Sequence, residues 1–215
     1  MTNLEKVPAA GDRHLGFVID SSFVIRHSSF TARSAFTLIE LVVVFALILV
    51  LTGLVLSTAG YARKKGARAR SETEIAAMSA ACESYKADNG IYPTDASTTE
   101  QLDSTTSFDP ANYRSASLYL YNALFGATAG SRTPNTGARS YFVFKPNMLF
   151  PADQNQSVQY IQDPFGNSYG YSTKMAVSGT GGYNPTFDLW STAGVAPSPT
   201  PAPPATQQDL WIKNW

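Results

Sequence analysis

A single acidic residue lies near the start of a long apolar run, in the stretch AFTLIELVVVF at residues 35–45. Glu40 is the only charged residue between Phe36 and Leu56. A charged side chain at the centre of a bilayer costs about 2.5–3.5 kcal/mol, and a cation that meets it in a dry environment offsets that cost. The chemistry open to Glu40 is therefore ion pairing. The alternative is that Glu40, about 6 Å along a helix from Phe36, only reaches back to the lipid headgroups.

The residue types needed for catalysis are scarce. Both histidines, His14 and His27, precede the apolar run, and Cys82 is the sole cysteine. The rest of the chain therefore cannot perform Ser–His, Cys–His or His-ligated metal chemistry. Asp163 and Asp188 could form a carboxylate pair, but turn and strand-end positions favour structural roles for both. We expect no catalytic residues and no enzymatic activity.

Before a hydrophobic core can be assigned, it must be decided whether the apolar run lies in a membrane or inside a folded domain. Residues 36–56 form a helix of roughly 31 Å if continuous, which matches the hydrocarbon thickness of a bilayer. The alternatives are a buried helix, which rarely runs so long without a polar face, and a cleaved secretory signal. Such a signal has a shorter apolar segment followed by small residues, whereas Ala35 precedes this run. Residues 36–57 are therefore predicted to form a helix that spans a membrane.

The string AFTLIE at residues 35–40, followed by the apolar run, resembles the processing site of type IV prepilins and of the pseudopilins of type II secretion. The resemblance implies that a prepilin peptidase cuts between Ala35 and Phe36 and methylates the new amino terminus at Phe36. Residues 1–35 would then be a leader. Ala35 stands where the family usually has Gly. In this family the acid at the position of Glu40 pairs with the terminal amine of a neighbouring subunit during filament assembly.

A polar stretch follows the span, and its pattern predicts an amphipathic continuation of the helix over 58–90. The larger apolar residues Ile75, Met78, Cys82 and Tyr85 recur at spacings of 3, 4 and 3, which makes a narrow stripe suited to packing on a small sheet. The helix is predicted to stop at Asn89-Gly90.

Five basic residues lie in ARKKGARAR at 62–70, against two, Arg26 and Arg33, just before the span. By the positive-inside rule this asymmetry places the C-terminal part in the cytoplasm. The resemblance implies the opposite, with the head in the periplasm and the chain anchored once in the bacterial inner membrane. The interpretations of the cluster are a solvated helix face near headgroups or a specific partner site. From residue 36 onward there are 12 basic and 13 acidic side chains, which argues against a nucleic acid partner.

Residues 91–215 are predicted to form a head with a loop, a short helix, a small antiparallel sheet and a Pro-rich C-terminal loop. Apolar residues on one face of the short helix are Leu118, Tyr121, Leu124 and Phe125. Strand patterns occur at SYFVFK (140–145), SVQYIQ (157–162), the Tyr-rich stretch after DPFGN (163–167), and TFDLWS (186–191). Overall we expect an α+β, pilin-like fold in which the long N-terminal helix packs on this sheet.

Four strings of the head and its approach resemble those of the major pseudopilins, in the same order. They are YKADNGIYPT at 85–94, DPFGNSY at 163–169, TFDLWS at 186–191 and the ending DLWIKNW at 209–215. Between the last two, the family carries an acidic loop that holds calcium. This chain has five prolines from Pro197 to Pro204, and the only nearby acids, Asp188 and Asp209, are too few for calcium's six to eight oxygen ligands. We therefore predict no metal and no cofactor, and expect the aromatic ending to dock on the head.

The expected function is a structural subunit of a type II secretion pseudopilus. The implied partners are the prepilin peptidase, further copies and other pseudopilins in a helical filament, the inner-membrane secretion platform and the lipid bilayer. Two alternatives stay open: a type IV pilus pilin or minor pilin, and a single-pass, membrane-anchored periplasmic binding protein.

Overall fold

The computed structural model describes residues 36–195 and 207–215, except for the side chains of Ser57 and Thr58. Ala35 and the rest of 1–35, and the prolines from Pro197 to Pro204, lie outside the described residues. The predictions made for them therefore remain predictions. Contacts divide the chain into two units, residues 1–49 and residues 50–215.

The long helix predicted from the sequence is present as α1, Leu38–Asn89. It ends at the predicted position because Gly90 adopts a left-handed conformation with φ of 80°, which favours glycine over residues with a Cβ. The Gly90 amide donates to the Lys86 carbonyl at 2.7 Å, and the Asn89 side chain donates to the Tyr85 carbonyl at 2.8 Å. These bonds satisfy carbonyls that the last helical turn would leave unpaired.

The narrow apolar stripe on α1 is buried as predicted, within residues 50–215. Ile75, Met78 and Cys82 are at most 4% exposed, and Tyr85 is half-buried against the same core. Ala81 extends the buried stripe. The spacing of 3 and 4 therefore identified correctly the face of α1 that the head covers.

The predicted short helix is α2, Arg114–Phe125. A 3-10 turn, Pro110–Tyr113, precedes it, and the Asp109 side chain accepts a 2.9 Å hydrogen bond from the Ala111 amide. Tyr121 and Leu124 on the predicted apolar face are fully buried, whereas Leu118 and Phe125 are half-buried. A further helix, α3, comprises Lys174–Ser178.

The strands of the described residues are short and antiparallel, and they form two sheets. The first sheet pairs β1, Leu149–Phe150, with β2, Tyr160–Ile161. The second has the order β3, β4, β5, formed by Gly170–Ser172, Asp188–Ser191 and Ile212–Lys213. In it Tyr171 lies opposite Leu189, and Ser191 lies opposite Ile212. The fold is thus α+β with a long N-terminal helix and small antiparallel sheets, rather than the single sheet expected from residues 140–191.

The prediction of a strand at 140–145 is wrong. The amides of Tyr141 and Phe142 both donate to the carbonyl of Leu124, at 2.7 and 3.2 Å, so the segment pairs with the end of α2. Its rings pack on helices: Tyr141 lies 5.2 Å from Tyr85, and Phe144 lies 5.1 Å from Tyr121, between centroids. Aromatic residues favour strands because they suit a half-buried surface, and helices supply that surface here.

The C-terminal tail docks on the head, as its aromatic ending predicted, and it does so as strand β5. Trp211 is buried and stacks on Trp190 at 6.1 Å between centroids, beside the buried ring of Tyr113. Trp190 lies over Gly170 of the neighbouring strand, and a Cβ at Gly170 would overlap the indole ring. The backbone of β3 therefore approaches Trp190 more closely than any residue with a side chain would allow.

Candidate functional site

The predicted assembly residue, Glu40, lies in the first turn of α1 and is bonded to Thr37. Its Oε2 atom accepts 2.8 Å hydrogen bonds from both the amide and the hydroxyl of Thr37. In return the Glu40 amide donates to the Thr37 hydroxyl at 3.3 Å. This reciprocal arrangement is a capping box, T-x-x-E, which satisfies amides that the start of a helix leaves unpaired. The sequence suggested two roles for Glu40: ion pairing between subunits, or reaching back to the lipid headgroups. Neither of them includes this local capping role.

Phe36, the predicted new N-terminus, directly precedes the capping box and is 85% exposed. The structure thus places Phe36, Thr37 and Glu40 together at one helix end. The carboxylate lies where an amine from another chain could reach it, since Glu40 is itself exposed.

The apolar run beyond Glu40 is fully exposed in the described structure. Every residue from Leu38 to Leu56 is exposed, with Leu38 at 80% and Leu56 at 69%. Among the described residues, α1 is the one helix long and apolar enough to cross a membrane. A continuous apolar surface of this extent requires lipid or other protein to cover it.

Asp188, one of the two calcium candidates, is buried and fully occupied by hydrogen-bond donors. Its Oδ2 accepts from the Ser104 hydroxyl at 2.5 Å and from the Tyr183 amide at 2.9 Å, while Oδ1 accepts from the Asn184 amide at 2.8 Å. The carboxylate therefore closes a turn between the 183–184 backbone and β4. Asp209, the other candidate, is exposed and lies in the turn before β5.

A second carboxylate near this turn, that of Asp103, forms an ion pair with Lys174. Lys174 Nζ lies 3.0 Å from Asp103 Oδ2, and the Thr105 hydroxyl donates to Oδ1 at 2.6 Å. Partial burial opposes ionisation of Asp103, but the bonds from Thr105 and Lys174 outweigh it and lower the pKa of Asp103 to about 2. No group of three or more His, Cys, Asp or Glu side chains in the described ranges is arranged to hold a metal ion.

Asp163, the other member of the carboxylate pair considered from the sequence, also closes a turn. Its Oδ1 accepts from the amides of Phe165 and Asn167 at 3.0 and 2.8 Å, and its Oδ2 accepts from the Ser191 hydroxyl at 2.5 Å. Burial raises the pKa of Asp163 above its ordinary value, despite these three bonds. Asp163 and Asp188 thus each hold their own turn, as their sequence positions indicated.

Sequence reasoning missed a buried polar network between α1 and the sheet. Glu74 is only 8% exposed; its Oε1 accepts from Arg70 Nε at 2.6 Å and its Oε2 accepts from the Tyr169 hydroxyl at 2.7 Å. Burial and the Glu74 carboxylate raise the pKa of Tyr169. The spacing of four residues between Arg70 and Glu74 indicates their ion pair. Nothing in the sequence around either residue indicates that Tyr169 also bonds to Glu74.

Cys82 is fully buried in the stripe of α1, and burial raises the pKa of its thiol. A thiol held in its neutral form is a poor nucleophile, which agrees with its assignment as a small core residue.

The described head therefore presents turn-closing carboxylates and a buried network, and the start of α1 presents an exposed carboxylate beside an exposed apolar surface. No family model, curated protein or solved structure matches this chain.

Proposed function

We propose that this protein is a structural subunit of a periplasmic pseudopilus of a type II protein secretion system, assembled from inner-membrane subunits after its leader is removed. The observation that carries the proposal is the division of α1 into two parts. The part up to Leu56 exposes apolar side chains all around, whereas the part from Ser71 to Cys82 buries one face against the head. A helix of this kind can serve first as an anchor in lipid and then as the core of a helical filament.

The apolar surface supports a role in which lipid is exchanged for protein. Side chains such as Leu49 and Val50, at 71% and 70% exposure, have no partner surface among the described residues of the chain. In a bilayer, lipid tails cover them; in a filament, the same helices of neighbouring copies would do so. Helix association of this kind depends on close packing and polar pairing, because lipid tails are as apolar as leucine.

Glu40 supplies the polar pairing in this proposal. The amine that cleavage creates at Phe36 would meet the exposed carboxylate of a neighbouring copy, and would compete there with the hydrogen bonds from Thr37. Two opposite charges buried together at a subunit contact select one axial register between neighbouring helices. Any other register leaves a buried charge unpaired, which is strongly disfavoured. The other partners in this proposal are the prepilin peptidase, further pseudopilins and the inner-membrane secretion platform.

The experiment that tests the proposal is intact mass measurement of the chain extracted from membranes of cells that contain a prepilin peptidase. The expected species lacks residues 1–35 and carries one added methyl group on Phe36. Recovery of the full-length chain alone would falsify the proposed processing.

A matched pair of variants sharpens this test. Ala35→Leu places a bulky residue directly before the cut and is expected to leave the chain unprocessed. Ala32→Leu makes the same change three residues earlier and should be processed as the parent is. Equal processing of both variants would show that the cut does not fall at Ala35.

A further inference from the structure

A basic groove lies between α1 and the C-terminal part of the head, within residues 50–215. Helix residues Tyr61, Lys64, Lys65 and Arg68 form one wall, and their spacing places them on one face of α1. The opposite wall comes from the head and is largely apolar: Phe165, Ala193, Val195 and Leu210. The groove has a volume of about 640 Å³, and none of the described residues that line it is acidic.

Two of its cations have no protein partner among the described residues. Lys64 and Lys65 are exposed and take part in none of the four ion pairs between described residues, which join Arg68–Glu72, Arg70–Glu74, Arg139–Asp88 and Lys174–Asp103. Arg68 lies 3.6 Å from Glu72 and also donates to the Leu210 carbonyl at 2.8 Å, which ties the helix wall to the head wall. Arg68 therefore links the two walls, and Lys64 and Lys65 give the groove two positive charges that no described acidic side chain pairs.

The position of the lysines along α1 matches the depth of lipid headgroups. The apolar run ends at Leu56, so Lys64 follows it by eight residues, or about 12 Å. Helical side chains lean toward the helix N-terminus, which here is toward the apolar run, and a lysine stem is long. The ammonium groups therefore reach back toward the headgroup layer, which extends about 5–8 Å beyond the hydrocarbon. Tyr61, which is 72% exposed, lies nearer to the apolar run than the lysines do. Aromatic residues are common at the membrane–water interface.

Charge distinguishes the occupants that could fill this groove. The chain's own segment 196–206, which follows Val195, reads APSPTPAPPAT and has no acidic residue to neutralise the lysines. A phospholipid with an anionic headgroup supplies both a phosphate for the lysines and an acyl chain for Leu210, Val195 and Phe165. A mixed cationic and apolar lining is complementary to that combination.

We infer that this groove binds the headgroup and proximal acyl chain of one anionic phospholipid, and so holds the head against the membrane surface before assembly. The inference depends on the membrane anchor in the proposed function and not on filament formation. It also accounts for a basic cluster that lies directly beyond the span.

The test is a titration of the full-length chain in micelles of a neutral detergent, with bound lipids counted by native mass spectrometry. The probes are dilauroyl phosphatidylglycerol and dilauroyl phosphatidylcholine, which share their acyl chains. We expect one phosphatidylglycerol per chain and at least tenfold weaker binding of phosphatidylcholine. Each lysine near an anionic lipid contributes roughly fivefold to binding, so Lys64→Gln with Lys65→Gln should weaken it about 25-fold.

Two further variants separate the groove from general charge attraction. The control pair Lys86→Gln with Lys145→Gln removes the same charge elsewhere on the second unit and should leave binding unchanged. Leu210→Ser removes an apolar contact from the opposite wall at a 54% exposed position and should weaken binding several-fold with no change of charge. Circular dichroism of each variant verifies that the fold is retained.

Several outcomes would overturn the inference. Equal binding of the two lipids, or an equal effect of the groove pair and the control pair, would show that no such site exists. Full displacement of phosphatidylglycerol by millimolar inorganic phosphate would identify a site for free phosphate instead. Self-association that the groove pair abolishes, without lipid binding, would make a second copy the occupant. Because no peptidase or filament enters this titration, its failure is separate from failure of the proposed function.

Discussion

The Thr37 hydroxyl and the Glu40 carboxylate share a 2.8 Å hydrogen bond at the start of α1, and the Thr37 amide donates to the same carboxylate oxygen at 2.8 Å. The carboxylate therefore has a role within its own chain, which is to cap the helix. Any amine arriving from a neighbour must share or displace these bonds. This relationship makes it possible to separate the charge of Glu40 from its capping role by mutation.

We predict that Glu40→Gln reaches the membrane normally but forms few filaments. Gln serves in a capping box, so this change retains the cap and removes only the charge. Glu40→Leu should insert at least as well, because it removes a charge that costs about 2.5–3.5 kcal/mol at mid-bilayer, and should assemble equally poorly. Filament yield is measured by shear fractionation and immunoblotting at matched membrane levels.

The control for this prediction is Thr37→Val, which removes the capping hydroxyl and leaves the carboxylate in place. If the charge drives assembly, this variant still forms filaments. If Glu40 acts only as a cap, the pattern is reversed, with Glu40→Gln assembling and Thr37→Val impaired. Normal filament yield from Glu40→Leu would exclude the assembly role outright.

The buried bond between Tyr169 and Glu74 is predicted to hold the head to α1. Tyr169→Phe removes the donor and leaves one oxygen of a buried carboxylate without its partner, which costs about 1–3 kcal/mol of unfolding free energy. Urea unfolding of the full chain in micelles, followed by near-ultraviolet circular dichroism, measures the loss. Tyr61→Phe removes a hydroxyl at a 72% exposed position and should change stability by less than about 0.5 kcal/mol. Similar values for the two variants would contradict the role of the bond.

Asp163 is predicted to make the head less stable as the pH rises above its ordinary pKa. Its pKa is raised in the folded protein, so the folded state binds the proton more tightly than the unfolded chain does. That contribution to stability is fully present below the ordinary pKa, near 4, and is lost as pH increases through the raised value. Asp163→Asn keeps an acceptor for the amides of Phe165 and Asn167 and removes the titration. The unfolding free energy of this variant, relative to that of the parent, should therefore increase with pH from about pH 4 upward.

Asp153→Asn is the matched control for this pH dependence. Asp153 is exposed, and hydrogen bonds from the Asn155 amide and the Gln156 side chain lower its pKa. Its contribution has the opposite sign: it is present above the ordinary pKa and lost as the pH falls below it. An Asp163→Asn variant whose stability follows the parent's at every pH would show that burial does not raise the pKa of Asp163.

We predict that calcium does not stabilise the head, because donors already occupy both oxygens of Asp188 and the Lys174 ammonium neutralises Asp103. A site with a Kd near 10 µM would add about 2.7 kcal/mol at 1 mM calcium, enough to shift the thermal midpoint clearly. The midpoint of the full chain should instead be equal in 1 mM calcium and in chelator. Lys174→Met should lower it, since Asp103 loses a partly buried cation, whereas Lys145→Met at an exposed site should not. A midpoint that rises with calcium would show that a site exists.

The sequence by itself determined the long helix, its buried stripe and its end. These features depend on local patterns: an apolar run of membrane length, spacings of 3 and 4 from Ile75 to Tyr85, and a glycine at position 90 able to adopt positive φ. The turn-closing role of Asp163 was also readable, since Asp before a Pro-Phe-Gly-Asn turn forms local hydrogen bonds to the following amides. For Asp188 the sequence indicated a structural position at a strand end, and Asp188 is the first residue of β4.

The tertiary structure alone decided where strands form and which distant side chains pair. Residues 140–145 have the composition of a strand, but the amides of Tyr141 and Phe142 bond to the end of α2. A strand also needs a partner edge, which the sequence does not specify. Similarly, β5 pairs with β4 across the segment between them, and Tyr169 reaches Glu74 across 95 positions. The basic residues at 62–70 were visible from the start, but the groove beside them forms only in the folded chain, where Arg68 donates to the Leu210 carbonyl, 142 residues away. Such contacts depend on the fold as a whole. Bringing distant residues together costs chain entropy, and the burial of the entire core offsets that cost.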